Sequence, residues 1–230
     1  MHARLGLIGL LSVLLGGCVL LAILIGYRQP SPALIQRLHL TDCDPPCWIG
    51  ILPGQTRDTD AYQRLGEVFG APAGSAVVAG DPVIRLVYLP SIYAENPSNM
   101  LPVQLLVDRG MVDGISIPAL NSVNSLDVMP ALGDMVNLLG KPTCVDLYSA
   151  AARAWSFIYE IDSYVVEVGI LGGDHLRWSQ PISYLSLGHR TAPFQKNGCA
   201  SKNFNLTSWA GLASKPRYLQ LASGSNSNQG

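Results

Sequence analysis

Residues 5–27, LGLIGLLSVLLGGCVLLAILIGY, form an uncharged stretch bounded by Arg4 and Arg28. A helix of this length spans roughly 34 Å, which is enough to cross the hydrocarbon core of a bilayer. A helix also satisfies every backbone polar group within the segment, as lipid requires. We therefore predict that the chain is anchored in a membrane from Leu5 to Tyr27. Everything after Arg28 is then a soluble domain tethered to that membrane.

The same stretch has two other interpretations. Residues 15–18, LGGC, resemble the lipobox of bacterial lipoproteins, in which Cys18 would be lipidated after cleavage. The third interpretation is an ordinary cleaved signal peptide. The apolar region of such a peptide is usually only about 7–15 residues long, whereas here the apolar run continues past Cys18 to Tyr27. That length favours an uncleaved anchor, in which Cys18 is a small apolar residue facing lipid.

The arginines around this stretch bear on its orientation. Arg4 and the amino terminus lie on one side, and Arg28 and Arg37 lie on the other. Positive charge favours the cytoplasmic side, so these charges support both orientations almost equally. The short N-terminal tail and the cysteines downstream favour an extracytoplasmic C-terminal domain. The sequence thus predicts a single-pass protein of the cell membrane.

Composition limits the classes of partner. The chain is 48% hydrophobic and 13% charged, with a formal net charge of −1. It has no run of Lys and Arg, so it lacks the electrostatic footprint of a nucleic-acid-binding protein. The part after the anchor is rich in Val, Leu, Ile, Ser, Gly and Pro, which suits a β-rich extracytoplasmic domain. We expect a membrane partner through the anchor, a protein partner in the cell envelope, and no nucleic acid.

Four cysteines lie outside the anchor, namely Cys43, Cys47, Cys144 and Cys199. An even number after a secretory-type segment indicates two disulfides, for which three connectivities exist. We favour Cys43–Cys47 with Cys144–Cys199, because the first pair is local and the second would pin the C-terminal region to the core. Zinc is the competing interpretation, but Cys144 and Cys199 are isolated and have no nearby histidine, unlike typical zinc ligands.

The first part of the domain carries a helix and a set of strands. A helix is predicted over residues 57–69, with Thr56 as its N-cap. Residues 83–89, VIRLVYL, follow as a strand, since Val, Ile and Tyr suit strands. Residues 103–107 and 111–117 then flank Asp-Arg-Gly, which is typical of a hairpin whose glycine takes a positive φ.

The same order is repeated further along the chain. A second helix is predicted from Ser125 to Leu139, and its end, LGKP at residues 139–142, aligns with FGAP at residues 69–72. Strands are predicted to follow at residues 155–161, 164–171, 176–178 and 182–187. Because a helix with one apolar stripe must bury it against another layer, the predicted fold class is α+β, with an N-terminal transmembrane helix followed by two helix-on-antiparallel-sheet units in tandem. Chance resemblance is the alternative, since helix ends of this kind are common.

These patterns divide the chain into six predicted segments. They are the N-terminal tail and transmembrane anchor (1–28), a linker and Cys loop (29–47), a first α+β unit (48–120), a second α+β unit (121–190), a C-terminal extension (191–221) and a disordered tail (222–230), the last of which is a polar low-complexity stretch.

No motif with a catalytic mechanism is present in the sequence. The histidines form no metal or nucleophile pattern, and no Gly-rich phosphate-binding loop occurs. We therefore predict no catalytic, cofactor-binding or metal-binding residue and no cofactor. The candidate binding surface comprises four residues. Tyr93 lies within the long loop 90–102 and Tyr88 lies just before it, whereas Asp174 and His175 lie at a turn. The competing interpretations are core packing for the tyrosines and solvated turn residues for the other two.

The motif Pro46-Cys47-Trp48-x-Gly50-Ile51-x-Pro53-Gly54-x-Thr56, followed by the helix and residues 69–72, resembles a group of uncharacterised membrane-anchored extracytoplasmic bacterial proteins. The order of Gly-x-Thr, helix, Gly-x-Pro and strands is also similar to the small outer-membrane assembly lipoproteins of the SmpA/OmlA type. Tandem units of this kind resemble the β-lactamase inhibitory protein fold. These resemblances imply helices on an antiparallel sheet and a tendency to bind proteins, and they supply no catalytic residue.

The resulting functional prediction is a membrane-anchored extracytoplasmic binding or assembly module without catalytic activity. Two alternatives remain open. One is a cell-envelope enzyme with an unrecognised hydrolase-type site, since Ser and Asp are abundant and a triad can be assembled from distant positions. The other is a purely structural tether, which would have neither a pocket nor a large apolar patch.

Overall fold

The structure is a computed structural model that describes residues 14–21, 32–78, 83–90, 100–118, 129–147, 154–172, 175–189, 199, 206–211 and 218. The chain divides into two compact units, Met1–Pro32 and Ala33–Gly230. In the first unit, residues 14–21 are helical (α1) and Cys18 is exposed. Among the described residues, no helix is long and apolar enough to span a bilayer. The rest of the stretch 5–27 lies outside the described residues.

The second unit is built around a single antiparallel sheet. Its helices are α2 (Ala33–Arg37), α3 (Asp58–Phe69) and α4 (Leu132–Leu139). Its strands are β1 (Gly74–Val78), β2 (Val83–Leu89), β3 (Leu101–Asp108), β4 (Met111–Pro118), β5 (Cys144–Asp146), β6 (Ala154–Ile161), β7 (Tyr164–Leu171), β8 (Tyr184–His189) and β9 (Leu206–Thr207). In the described part of the chain the sheet has nine strands, in the order β1-β2-β3-β4-β8-β7-β6-β5-β9.

The predicted fold class, an N-terminal transmembrane helix followed by two separate helix-on-sheet units, is therefore wrong. The strands after α3 and those after α4 merge, because β4 pairs with β8 in antiparallel register, with Ile115 opposite Leu187 and Ile117 opposite Leu185. Had the two sets remained apart, β4 and β8 would each present an edge of unpaired backbone N–H and C=O groups. Pairing them satisfies those groups and joins their apolar side chains into one core.

One face of the sheet packs against α3 and α4. The two helices contribute Ala61, Leu65, Leu132 and Met135 to the same buried cluster as the inward-facing residues of β2 to β8. Trp48 and Trp155 are each only 1% exposed, so both indole rings belong to the core. The indole N–H of Trp48 donates to the carbonyl of Leu38 at 2.7 Å, so this buried donor is satisfied.

An ion pair connects the first turn of α3 to β2. The Nε of Arg85 donates to Oδ1 of Asp58 at 2.8 Å, and its Nη2 donates to Oδ2 at 2.5 Å. Both side chains are largely buried, with 29% of Arg85 and 15% of Asp58 exposed. A bidentate contact of this kind fixes orientation as well as distance, so it sets how the helix lies on the sheet.

Two helix starts differ from the prediction. The helix α3 begins at Asp58 with Arg57 as N-cap, and the Thr56 hydroxyl instead accepts the N–H of Leu52 at 2.8 Å. The second helix begins at Leu132 rather than near Ser125, which lies outside the described residues. Pro130 and Ala131 cannot join that helix because they pair with residues 181 and 182. The predicted strand at residues 176–178 is also absent, whereas the hairpin turn at Arg109 and Gly110 forms where predicted.

Two disulfides join the pairs that the sequence favoured, so that prediction is confirmed. The Cα atoms lie 5.7 Å apart in Cys43–Cys47 and 5.9 Å apart in Cys144–Cys199. The second bridge lies on the face of the sheet opposite the helices, which we call the distal face. There it forms a small apolar cluster with Ile158, Val165 and Leu206.

Candidate functional site

A cleft of about 290 Å³ opens on the distal face. Its described lining residues come from five strands that are neighbours in the sheet, β2, β3, β4, β8 and β7. They are Ile84, Gln104, Leu106, Ser116, Glu167, Tyr184 and Ser186. Because these strands include β4 and β8, the cleft lies across the junction between the two halves of the sheet.

The polar residues of the cleft form one cross-strand row. Gln104 lies opposite Ser116, Ser116 opposite Ser186, and Ser186 opposite Glu167. Residues directly opposite on one face have Cβ atoms about 4.5–5.5 Å apart, so their side chains can act on one ligand. The row therefore provides hydroxyl, amide and carboxylate groups side by side across four strands.

The alternation of the strands explains why this row faces away from the core. Ser116 sits between Ile115 and Ile117, both of which are fully buried. In a strand, successive side chains point to opposite faces, so a polar residue between two core residues must face the distal side. The same pattern places Ser186 and Glu167 between apolar neighbours in β8 and β7. This alternation is visible in the sequence, although no motif marks it.

Tyr184 is held in place at one end of the cleft. Its hydroxyl donates to Oε1 of Glu167 and lies 2.7 Å from the hydroxyl of Ser156. Since a phenol has a single proton, Ser156 must be the donor in the second bond. Burial and the Glu167 carboxylate raise the pKa of Tyr184 well above its ordinary value. The phenol consequently stays protonated and keeps Glu167 oriented.

A second carboxylate lies close to this group on the distal face. Asp146 is only 4% exposed, and it forms no ion pair with another described residue. Burial, with a smaller contribution from Glu167, raises the pKa of Asp146 to about 6. Charged groups are rarely buried without a partner. This end of the cleft is therefore electronegative and rich in hydrogen-bond acceptors.

Of the four predicted binding residues, the structure describes Tyr88 and His175, and neither lines the cleft. Tyr88 is half-buried in β2 and faces the same side as Ile84, but it does not line the cleft. His175 is exposed and lies beyond the end of β7. Tyr93 and Asp174 lie outside the described residues. Within the described ranges, no group of three His, Cys, Asp or Glu residues could hold a metal ion.

A second depression, of about 460 Å³, lies at one end of the sheet. Its polar groups include Gln55, whose amide donates to the Tyr164 hydroxyl at 3.3 Å, and Asp113. Burial raises the pKa of Asp113, and the nearby His189 opposes that rise. The acid of this depression thus lies near a histidine, whereas no histidine is among the described residues that line the cleft.

The chain matches no protein-family profile, and it has no significant match among curated proteins. Among solved structures it is similar to a DUF4309 family protein (YjgB) from Bacillus subtilis subsp. subtilis str. 168, with 18% sequence identity and a TM-score of 0.41. The match covers 68% of this chain and 95% of that chain. The resemblance to assembly lipoproteins and to the β-lactamase inhibitory protein fold stays a prediction.

Proposed function

We propose that this protein is an extracytoplasmic binding module without catalytic activity and that its ligand occupies the distal-face cleft. The observation that carries the proposal is the convergence of polar side chains from four adjacent strands on one cavity with apolar walls. Binding sites for small molecules combine mostly apolar walls with a few placed polar groups in this way. The envelope protein partner expected from the sequence would be recognised by inserting one side chain into the same cleft.

The location is also part of the proposal. Two disulfides support an oxidising compartment, because such bonds are rare in reducing cytosol. The uncharged stretch 5–27 supports attachment at the membrane. The domain would then face the outside of the cell membrane and present the cleft to envelope components.

The two alternatives fit the geometry less well. A tether needs no cleft. An acid–base enzyme is favoured by one observation, the raised pKa of Asp146, because perturbed carboxyl groups often serve proton transfer. However, Asp146 is not among the residues that line the cleft, so a bound molecule has no described path to it. Binding therefore accounts for more of the site than catalysis does.

Fragment binding monitored by amide NMR tests this proposal. We expect fragments from a library of charged and neutral compounds to shift the amides of Ser116, Glu167 and Ser186. Ser116→Phe, which fills the cleft, is expected to abolish these shifts. The matched control is Ser75→Phe, which adds the same ring at an exposed position in β1. Fragments that bind S116F as well as the wild type, or that never shift cleft amides, would overturn the proposal.

A further inference from the structure

Glu167 is the one charged residue among the described residues that line the cleft. No Lys, Arg or His in the described part of the chain lies within ion-pair distance of its carboxylate. Its Oε1 accepts the Tyr184 proton, while no described donor reaches Oε2. A carboxylate held in a fixed orientation beside a cavity, with one acceptor oxygen unused, is complementary to a cationic donor.

Asp146 provides a second, independent indication. Asp146 is almost completely buried on the same face and forms no ion pair with another described residue. It interacts electrostatically with both Glu167 and Tyr184, so it adds to the negative potential at that end of the cleft. Together with Glu167, this second carboxylate makes that end of the cleft more favourable for a cation than for an anion.

The remaining lining residues restrict the shape of that cation. Gln104 and Ser116 carry oxygens that can accept hydrogen bonds from an ammonium group, which has three donors. Ile84 and Leu106 form the apolar part of the wall, and a volume of about 290 Å³ lies at the small end of ligand pockets. The cation therefore needs a compact apolar body rather than a long polar chain.

We propose that the cleft binds a small organic ammonium ion, with the ammonium group on Glu167 and its apolar body against Ile84 and Leu106. This inference rests on the proposed function, since it names the class of ligand for the same site. The carboxylate of Glu167 and the acceptor oxygens of Gln104 and Ser116 receive the ammonium protons. Tyr184 acts as a positioning residue, because its hydrogen bond holds Glu167 in place.

The experiment compares three probes of similar shape and different charge. Benzylamine is cationic at neutral pH, benzyl alcohol is neutral and benzoate is anionic. Binding of each to the whole chain is followed by amide shifts at Ser116, Glu167 and Ser186. We expect benzylamine to bind at least about tenfold more tightly than benzyl alcohol, because hydrogen bonds to charged groups are the stronger ones. Benzoate is expected not to bind.

Glu167→Gln tests the charge itself, because the amide oxygen can still accept the Tyr184 proton. It should weaken benzylamine binding about tenfold and leave benzyl alcohol binding unchanged. Glu67→Gln, in an exposed ion pair on α3, is the matched control and should change neither. If E167Q fails to fold, as its melting temperature would reveal, the ranking of the three probes on the wild type decides the result.

The possible outcomes separate this inference from the proposed function. Equal or tighter binding of benzyl alcohol or benzoate in the cleft would overturn the ammonium inference and leave the binding site intact. If library fragments bind in the cleft but benzylamine does not, the ammonium inference is likewise overturned and the binding site is left intact. If neither library nor probes shift the cleft amides, both proposals are wrong.

Discussion

The ring of Tyr184 in β8 lies against Gly169, its cross-strand partner in β7, so closely that no other residue fits there. A Cβ atom on Gly169 would lie 1.8 Å from Cε1 of Tyr184. The missing side chain lets the tyrosine extend across β7 and reach Ser156 in β6. The glycine therefore determines the position of the hydroxyl that orients Glu167.

Replacing this glycine should displace the tyrosine. We expect Gly169→Ala to lower the free energy of unfolding by about 1–3 kcal/mol, because overpacking forces side chains off their rotamers. It should also remove fragment binding in the cleft, since Glu167 loses its positioning contact. Urea unfolding and amide NMR measure the two effects. Gly66→Ala in α3 serves as the control, because a Cβ atom at that position would make only an ordinary van der Waals contact. Equal losses of stability and of fragment binding in both variants would contradict the explanation.

Asp146 should make the protein less stable as pH rises. Its pKa is 3.8 in the unfolded reference and about 6 in the folded protein, so the folded state binds the proton more tightly. The contribution of Asp146 to the free energy of unfolding is therefore highest below pH ~4, falls between pH ~4 and ~6, and stays at the lower level above that. Asp113, whose pKa burial also raises, contributes to the same fall.

Asp146→Asn should remove the larger part of this pH dependence. The asparagine cannot ionise, so we expect the free energy of unfolding at pH 7.5 to increase by about 1–3 kcal/mol. Urea unfolding at a series of pH values gives the profile. Asp162→Asn, at an exposed turn, is the control and should leave the profile unchanged. An unchanged profile in D146N would show that another group titrates.

The ion pair between Asp58 and Arg85 should contribute measurably to stability. Because both side chains are largely buried and the contact is bidentate, we expect a coupling energy of about 1–3 kcal/mol in a double-mutant cycle with alanine. The exposed pair Arg64–Glu67 is the comparison and should give less than about 0.5 kcal/mol. Similar coupling in both pairs would refute a special role for the contact between α3 and β2.

The two disulfides should differ in their effect on stability. Cys144 and Cys199 are 55 residues apart and Cys43 and Cys47 only 4, and the entropy lost by the unfolded chain grows with loop length. Replacing the long-range pair by serine should cost about 4 kcal/mol, and replacing the short-range pair about 2 kcal/mol. Urea unfolding of the two double variants under non-reducing conditions measures this order. A reversed order would mean that loop closure is not the dominant contribution.

The sequence by itself determined the local features of this protein. The helix over residues 58–69 follows from the spacing of its apolar side chains, and the turn at Arg109 and Gly110 follows from the glycine. The pairing preferred for the four bridged cysteines, one of three possible connectivities, is also the one that the structure forms. Each of these depends on residues close together in the chain or on a small number of possible pairings, so local rules were sufficient.

Only the tertiary structure decided how the two halves join and where the candidate site lies. The pairing of Ile115 with Leu187 connects residues far apart in the chain, and it is selected because each strand offers an edge that the other can satisfy. The sequence instead favoured two separate sheets. The cleft exists because that pairing brings Ser116 next to Ser186, and because Gly169 leaves room for the ring of Tyr184. Such contacts depend on register and on space between strands, which residue patterns along one strand do not encode.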